Sequence, residues 1–108
     1  MKTHGEIDRR SLLLARAIVD RIDRDPRRAG LSKARSVCDR WARTAAQPAV
    51  DEWRKILEQD WTQIRRLLLR DDELGRRLRQ SSPFCGVLTP SERWHIYREG
   101  RAHDPGTT

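Results

Sequence analysis

The amino-acid sequence predicts an all-α fold: a compact bundle of five or six short helices with an apolar loop before the last helix. Apolar residues recur at three- and four-residue steps over most of the chain, which is the spacing of an amphipathic helix. No segment alternates apolar and polar residues as a half-buried strand does. Only 36% of the 108 residues are hydrophobic, but four Trp side chains add large apolar areas for a core. We therefore expect a folded protein rather than a disordered one.

The first two helices are each predicted from an apolar stripe that follows or precedes a helix-ending signal. Helix one is expected over residues 6–24, and it stops at Asp25-Pro26 because the residue before a proline disfavours helical backbone angles. Ser32 is the expected N-cap of helix two, which is predicted over residues 33–45. Both predictions place one apolar face of each helix against a shared core.

Three further short helices are predicted between Pro48 and Gln80. Pro48 suits the first position of the third helix, where its missing N–H has no helical partner anyway. Asp60 is a candidate cap for a fourth helix over residues 61–69, although the pattern also allows helices three and four to form one continuous rod. The acidic residues 71–73 suit the start of a fifth helix. That helix is expected to end near Gln80, ahead of a Ser-Ser-Pro sequence.

The clearest local signals lie at the start of the last helix. Residues 84–88 form an apolar loop that is more hydrophobic than an exposed connection requires, so we expect it to pack onto the core. Thr89 as N-cap, Pro90 at the first helical position and Glu92 at the third form a capping box. This combination predicts that the last helix begins at Pro90.

Aromatic residues on the last helix should face the preceding loop. Trp94 and Tyr97 are three residues apart and share one side of a helix, which we expect to close over the loop. Gly, His, Asp, Pro and Thr residues then predict a flexible C-terminal tail over residues 100–108. The sequence thus predicts a single helical domain over residues 1–99, which is the size of one ordinary domain.

Positive charge is the strongest compositional feature of the chain. The net charge is +7, and Arg supplies 20 of the 23 basic residues. Residues 1–48 carry 12 basic and 6 acidic side chains, so the excess lies in the N-terminal half. Many Arg residues have an acidic partner four positions away, as in Asp20 with Arg24 and Glu73 with Arg77. The candidates for binding an external anion are those with the fewest such partners: Arg27, Arg28, Arg65 and Arg66.

The sequence contains no pattern of catalytic or metal-binding residues. His4, His95 and His103 are far apart, and Cys38 and Cys85 are single residues, so no zinc spacing exists and no metal or cofactor is expected. Cys85 and His95 are ten residues apart, but nothing nearby supplies an oxyanion hole or an orienting acid. We therefore expect a non-enzymatic protein without catalytic residues.

No membrane association is expected from the sequence either. There is no run of about 18 apolar residues that would span a membrane, and the N-terminus lacks the apolar core of a signal peptide. The two cysteines fit reduced thiols rather than a disulfide. These features favour a cytoplasmic location.

One set of motifs resembles a known group of proteins. Residues 78–94 read LRQSSPFCGVLTPSERW, and Asp25-Pro26, Arg40-Trp41 and Glu52-Trp53 precede them. With these motifs, residues 7–99 resemble small Arg-rich bacterial proteins that look like antitoxin components of toxin–antitoxin modules. Some of these are paired with nucleotidyltransferase-like toxins. The resemblance implies an antitoxin that neutralises its cognate toxin by occluding the active site.

Two hypotheses about binding follow, and the sequence leaves both open. If the chain is an antitoxin, the last helix and the loop before it supply the side-chain types that dominate protein interfaces, which predicts these partner-binding residues: Phe84, Arg93, Trp94, Tyr97 and Arg98. The alternative is a DNA-binding regulator that uses the basic N-terminal half. The oligomeric state is not predicted.

Overall fold

The computed structural model describes residues 4–44 and 47–102, and within them six α-helices and one short 3-10 helix form the fold. In chain order these elements are α1 (His4–Arg24), α2 (Ala29–Thr44), α3 (Pro48–Leu57), α4 (Trp61–Leu68), α5 (Glu73–Gln80), the 3-10 turn (Pro83–Gly86) and α6 (Pro90–Ala102). The described residues contain no strand, so the all-α prediction is confirmed.

The turn between α1 and α2 is tighter than predicted. Helix α1 ends at Arg24 as expected, but α2 begins at Ala29, so Ser32 lies inside it and is not its N-cap. The cap comes instead from Asp25, whose carboxylate accepts the backbone N–H groups of Arg27 at 3.0 Å and Ala29 at 2.8 Å. These bonds lower the pKa of Asp25. The acid before the proline therefore both ends one helix and starts the next.

Helices α3 and α4 are separate, which resolves the question that the sequence left open. Helix α3 ends at Leu57, and the chain turns through residues 58–60 before α4 begins at Trp61. Asp60 has an extended backbone, and its carbonyl accepts the N–H groups of Gln63 and Ile64 at 3.0 Å each. Its side chain makes no capping bond, so the predicted cap is supplied by the backbone alone.

Helix α5 has the predicted start and end. Asp72 is its N-cap, and the Asp72 carboxylate accepts the backbone N–H of Gly75 at 2.9 Å. The same carboxylate accepts the Arg70 Nε–H at 2.9 Å. Helix α5 ends at Gln80, ahead of the Ser-Ser-Pro sequence, as expected from the missing proline donor.

The core is a cluster of apolar side chains centred on Phe84. The Phe84 ring is fully buried and lies edge-on to Trp53, with 5.9 Å between centroids and an interplanar angle of 67°. Trp61 is the other aromatic neighbour, at 6.3 Å. The predicted packing of the apolar loop is thus confirmed for Phe84 and Leu88, whereas Cys85 in the same segment is exposed.

The last helix starts with the predicted capping box. Thr89 N–H donates to Glu92 Oε1 at 3.0 Å, and Glu92 N–H donates to Thr89 Oγ1 at 3.1 Å. Helix α6 packs along α1 and continues to Ala102, three residues into the predicted tail. The remainder of that predicted tail, residues 103–108, lies outside the described residues.

Replacing Gly75 with Ala should destabilise the protein, although the same change in an ordinary helix stabilises it. A Cβ at position 75 would lie 2.1 Å from the Arg70 carbonyl oxygen, which belongs to the backbone and cannot swing aside. We expect Gly75→Ala to lower the free energy of unfolding by about 2–3 kcal/mol, as overpacking does.

The control for this change is Gly86→Ala, and the stability of both variants is measured by urea denaturation. There an added Cβ would meet only the flexible Lys33 side chain, at 3.2 Å, and the glycine φ is not positive. Its stability should change little or rise by about 0.5 kcal/mol. Equal effects at the two positions would contradict the close approach of α5 to Arg70.

Asp72 should make the stability of the protein depend on pH in the acid range. Hydrogen bonds from Arg70, and then from the Gly75 N–H, lower the pKa of Asp72 from 3.8 to about 2. Because the folded-state pKa lies below the unfolded one, this carboxylate stabilises the fold above about pH 4 and loses that effect as the pH falls towards 2.

Asp72→Asn keeps a good N-cap residue but removes the charge. The variant should be less stable than the parent at pH 7, and the difference should shrink between pH 4 and pH 2 in urea denaturation at stepped pH. Asp60→Asn is the matched control, because Asp60 is also an N-cap but its side chain makes no capping bond. If the stability difference between Asp72→Asn and the parent stayed constant with pH, the lowered pKa of Asp72 would be contradicted.

Candidate partner-binding surface

Helix α6 presents two different faces. Trp94 is 61% exposed, and it is the exposed large hydrophobic side chain among the described residues. Arg98 lies one turn further along the same outer face and is also exposed. Arg93 and Tyr97 are half-buried on the face that lies towards α1. The four predicted α6 residues therefore divide into an outer pair and an inner pair.

Two polar contacts hold α6 against α1. Arg21 forms a bidentate ion pair with Glu92, in which Nη1 lies 3.1 Å from Oε1. About three turns earlier on α1 and one and a half turns later on α6, the Arg10 guanidinium carbon lies 5.2 Å from the centroid of the Tyr97 ring. A cation over an aromatic face is attracted to the ring quadrupole. Glu92 thus serves both as capping residue and as interhelical partner.

The predicted grouping of Phe84 with Trp94 and Tyr97 as one binding patch is wrong. Phe84 has no exposed surface, because Pro83 and Phe84 insert between the helices and the ring packs against Trp53. A partner that docks on the folded protein cannot contact it. An apolar residue in a loop carries the same sequence signal whether it binds a partner or completes the core, so the sequence did not separate these roles.

A groove runs between α1 and α6, and we call it the α1–α6 groove. Its volume is about 590 Å³. The apolar part of its lining includes Leu14, Ile18, Phe84 and Leu88. The polar part includes Ser11, Ser82 and three Arg residues, Arg10, Arg79 and Arg93, together with Tyr97. The structure thus brings Arg93 and Tyr97 to a common cavity, whose lining does not include Trp94.

Arg79 is a residue of this groove that sequence reasoning missed. Its Nε donates to the Ser11 hydroxyl at 2.9 Å, which ties α5 to α1. Its Nη1 donates to the carbonyls of Leu68, at 2.9 Å, and Arg70, at 2.6 Å. Its Nη2 is buried and has no hydrogen-bond partner among the described residues. Burial lowers the pKa of Arg79. No signal in the sequence distinguishes this Arg from its neighbours, because its contacts are long-range.

The four predicted anion-binding residues do not form one site. Arg65 is a candidate from the sequence because it has few acidic residues at helical spacing, but its Nη2 lies 3.0 Å from Asp23 Oδ2, so it is already paired with a carboxylate of the fold. The partner lies 42 residues away in sequence and is brought close by the packing of α4 on α1. Arg27, Arg28 and Arg66 are exposed. Asp25 and Asp23 offset part of the charge of the first two.

Asp23 also anchors the aromatic core. Its Oδ1 accepts the Trp61 indole N–H at 2.7 Å, and its other oxygen accepts the Arg65 guanidinium. The hydrogen bond from Trp61 is the largest cause that lowers the pKa of Asp23, followed on the lowering side by Arg65. Arg65 therefore serves the fold rather than an external ligand.

The two cysteines are free thiols in different surroundings. Cys38 is buried, and burial raises the pKa of its thiol. Cys85 is exposed and lies in the α1–α6 groove, whereas His95 is exposed in a separate depression on the other side of α6. The structure therefore does not bring Cys85 and His95 together. The side chains of His4 and His103 lie outside those that the structure describes.

Neither a metal-binding cluster nor a membrane-spanning helix occurs in the described part of the chain. Within it, no group of three or more His, Cys, Asp or Glu side chains is placed to hold a metal ion. Nor does any helix in residues 4–44 and 47–102 have the length and apolar character needed to cross a membrane.

The sequence matches no protein-family model, and neither a curated protein nor a solved structure is detectably similar to it.

The backbone of Arg28 should be strained, independently of any role in binding. Its φ is 47°, in the left-handed region that glycine adopts without a steric penalty. Arg28→Gly should therefore raise the free energy of unfolding by about 0.5–1 kcal/mol in urea denaturation. Arg27→Gly is the control: its φ is not positive, so glycine there should cost about 0.5 kcal/mol. Equal losses in the free energy of unfolding of Arg28→Gly and Arg27→Gly would contradict backbone strain at Arg28.

Proposed function

We propose that this protein is a non-enzymatic antitoxin that binds a cognate toxin through the outer face of α6. The observation that supports the proposal is the exposure of Trp94, which is 61% accessible on a helix that packs along α1. A Trp that is mostly exposed adds little to the core, and Trp is among the residues most enriched at the centres of protein interfaces. That the partner is a toxin is inferred from the resemblance of residues 7–99 to antitoxin components.

The position of Trp94 suits a binding anchor. Glu92, two residues earlier, is fixed by the capping box and by Arg21, so the start of the helix is held in place. A rigid anchor loses little conformational entropy on binding. Covering the exposed part of a Trp ring contributes about 2–4 kcal/mol. Arg98, one turn away, can add a charge-assisted hydrogen bond to a carboxylate or phosphate on the partner.

The proposed mechanism is occlusion. The antitoxin lays α6 across the active cleft of the toxin, with Trp94 in an apolar depression and Arg98 at its polar edge. The partner is a toxin encoded next to this chain, and a nucleotidyltransferase-like toxin is the kind that the resemblance suggests. No catalytic residue of this chain takes part, because neutralisation requires only that the complex forms.

The test is a binding measurement with the product of the adjacent gene. The two proteins are co-expressed and purified together, and their Kd is measured by isothermal titration calorimetry. Trp94→Ala should weaken binding by about 30-fold or more, since a truncated anchor costs at least ~2 kcal/mol. It should leave thermal stability nearly unchanged, because the side chain is largely exposed. The variant should also fail to relieve growth arrest by the toxin.

Gln63→Ala is the matched control, because Gln63 is exposed on α4, away from α6. It should bind and neutralise like the parent. An unchanged Kd for Trp94→Ala would show that the outer face of α6 is not the interface. If the adjacent gene product does not bind at all, the antitoxin proposal is wrong.

The alternative function is DNA binding by the basic N-terminal half. The net charge of +7 and the exposure of Arg27, Arg28 and Arg66 favour it. Binding to duplex DNA should then weaken steeply with added salt, and Arg27→Gln with Arg28→Gln should reduce the salt slope. Binding to the toxin through an aromatic anchor should be much less sensitive to salt. The two titrations together therefore separate the hypotheses.

A further inference from the structure

We infer that the α1–α6 groove is a binding site for a small amphipathic carboxylate, a molecule with an apolar body and one carboxylate group. This site is distinct from the proposed toxin interface, because neither Trp94 nor Arg98 belongs to the groove lining. The occupant is a small molecule rather than a peptide.

The size and lining of the groove suit such a ligand. Its volume of about 590 Å³ lies within the range of small-molecule sites in proteins. Leu14, Ile18 and Leu88 supply aliphatic surface, and the neighbouring Phe84 ring is buried and already fixed by the core. An apolar body would therefore enter a preformed surface rather than one that must reorganise. A purely polar anion would gain nothing from these three aliphatic side chains.

The positive charge of the groove lining favours a ligand with an anionic head group. Three Arg residues line the α1–α6 groove, and no Asp or Glu does so among the described residues. Four other depressions described on this surface each contain at least one carboxylate residue in their lining. In a chain with 16 acidic residues, the groove is thus set apart by a positive lining around an apolar floor.

The three Arg side chains have different roles. Arg93 makes no hydrogen bond or ion pair through its side chain with any described residue, so its guanidinium is available to a ligand. The flat fork of a guanidinium matches the two oxygens of a carboxylate. The Arg10 guanidinium lies over the Tyr97 ring, and it lines the groove from α1 whereas Arg93 lines it from α6. Arg79 has an unpaired Nη2 that solvent does not reach, so it contributes positive field rather than a direct bond.

Decanoate is the probe, used with the full chain below its micelle concentration. Binding is followed by NMR of the methyl groups of Leu14, Ile18 and Leu88, which should shift in a saturable manner. Arg93→Gln should weaken binding about tenfold or more, the loss expected for one charge-assisted hydrogen-bonding group. Decanol and decyltrimethylammonium have the same chain without the carboxylate, and they should bind at least about tenfold more weakly than decanoate.

The control variant is Arg16→Gln, which removes one positive charge from an exposed position on α1 outside the groove lining. It should bind decanoate like the parent, and so should Trp94→Ala, which keeps this test separate from the toxin proposal. Equal affinity for decanoate and decanol, or equal losses in Arg93→Gln and Arg16→Gln, would overturn the inference. So would the absence of saturable shifts, or binding of an acidic amphipathic peptide but not of decanoate.

Discussion

The buried contact between Phe84 and the indole rings of Trp53 and Trp61 is the interaction on which the rest of the structure depends. A buried indole N–H needs a partner, and each of these two finds one on a different helix. Trp53 donates to the Leu78 carbonyl of α5 at 3.1 Å, and Trp61 donates to Asp23 of α1 at 2.7 Å. The cluster therefore joins α1, α3, α4, α5 and the 3-10 turn through one set of ring contacts and two directed hydrogen bonds.

The position of α6 follows from this core. Phe84 and Leu88 are buried, so the chain must leave the core at a defined place before Thr89 caps the last helix. Arg21 and Glu92 then fix the angle at which α6 lies on α1. Side chains bridge α6 to α1 without filling the space between them, so a groove remains between the two helices and Trp94 stays exposed outside its lining. Both candidate binding surfaces are thus consequences of how the loop before α6 is buried.

Much of the positive charge of this protein is used between its own elements. Arg21, Arg65 and Arg77 each pair with a carboxylate on another helix, and Arg77 binds Glu52 of α3 rather than Glu73 of its own helix. These pairs are partly exposed, so each contributes little to stability, typically less than about 1 kcal/mol. They do select how the helices face one another. The count of 23 basic residues therefore overstates how many cations are available to an external partner.

Local signals in the sequence were sufficient for the helical class and for several helix ends, whereas tertiary packing determined what the surface contains. The helix class, the ends of α5 and the capping box of α6 follow from contacts within a few residues, such as Thr89 with Glu92, and these are readable from spacing alone. The burial of Phe84, the pairing of Arg65 with Asp23 and the placement of Arg79 in the groove required contacts between distant segments. Residue type and spacing are the same for an Arg that meets a ligand and an Arg that meets another helix. Only the packing of the helices decides between them, because it sets which charges and apolar groups remain without a partner.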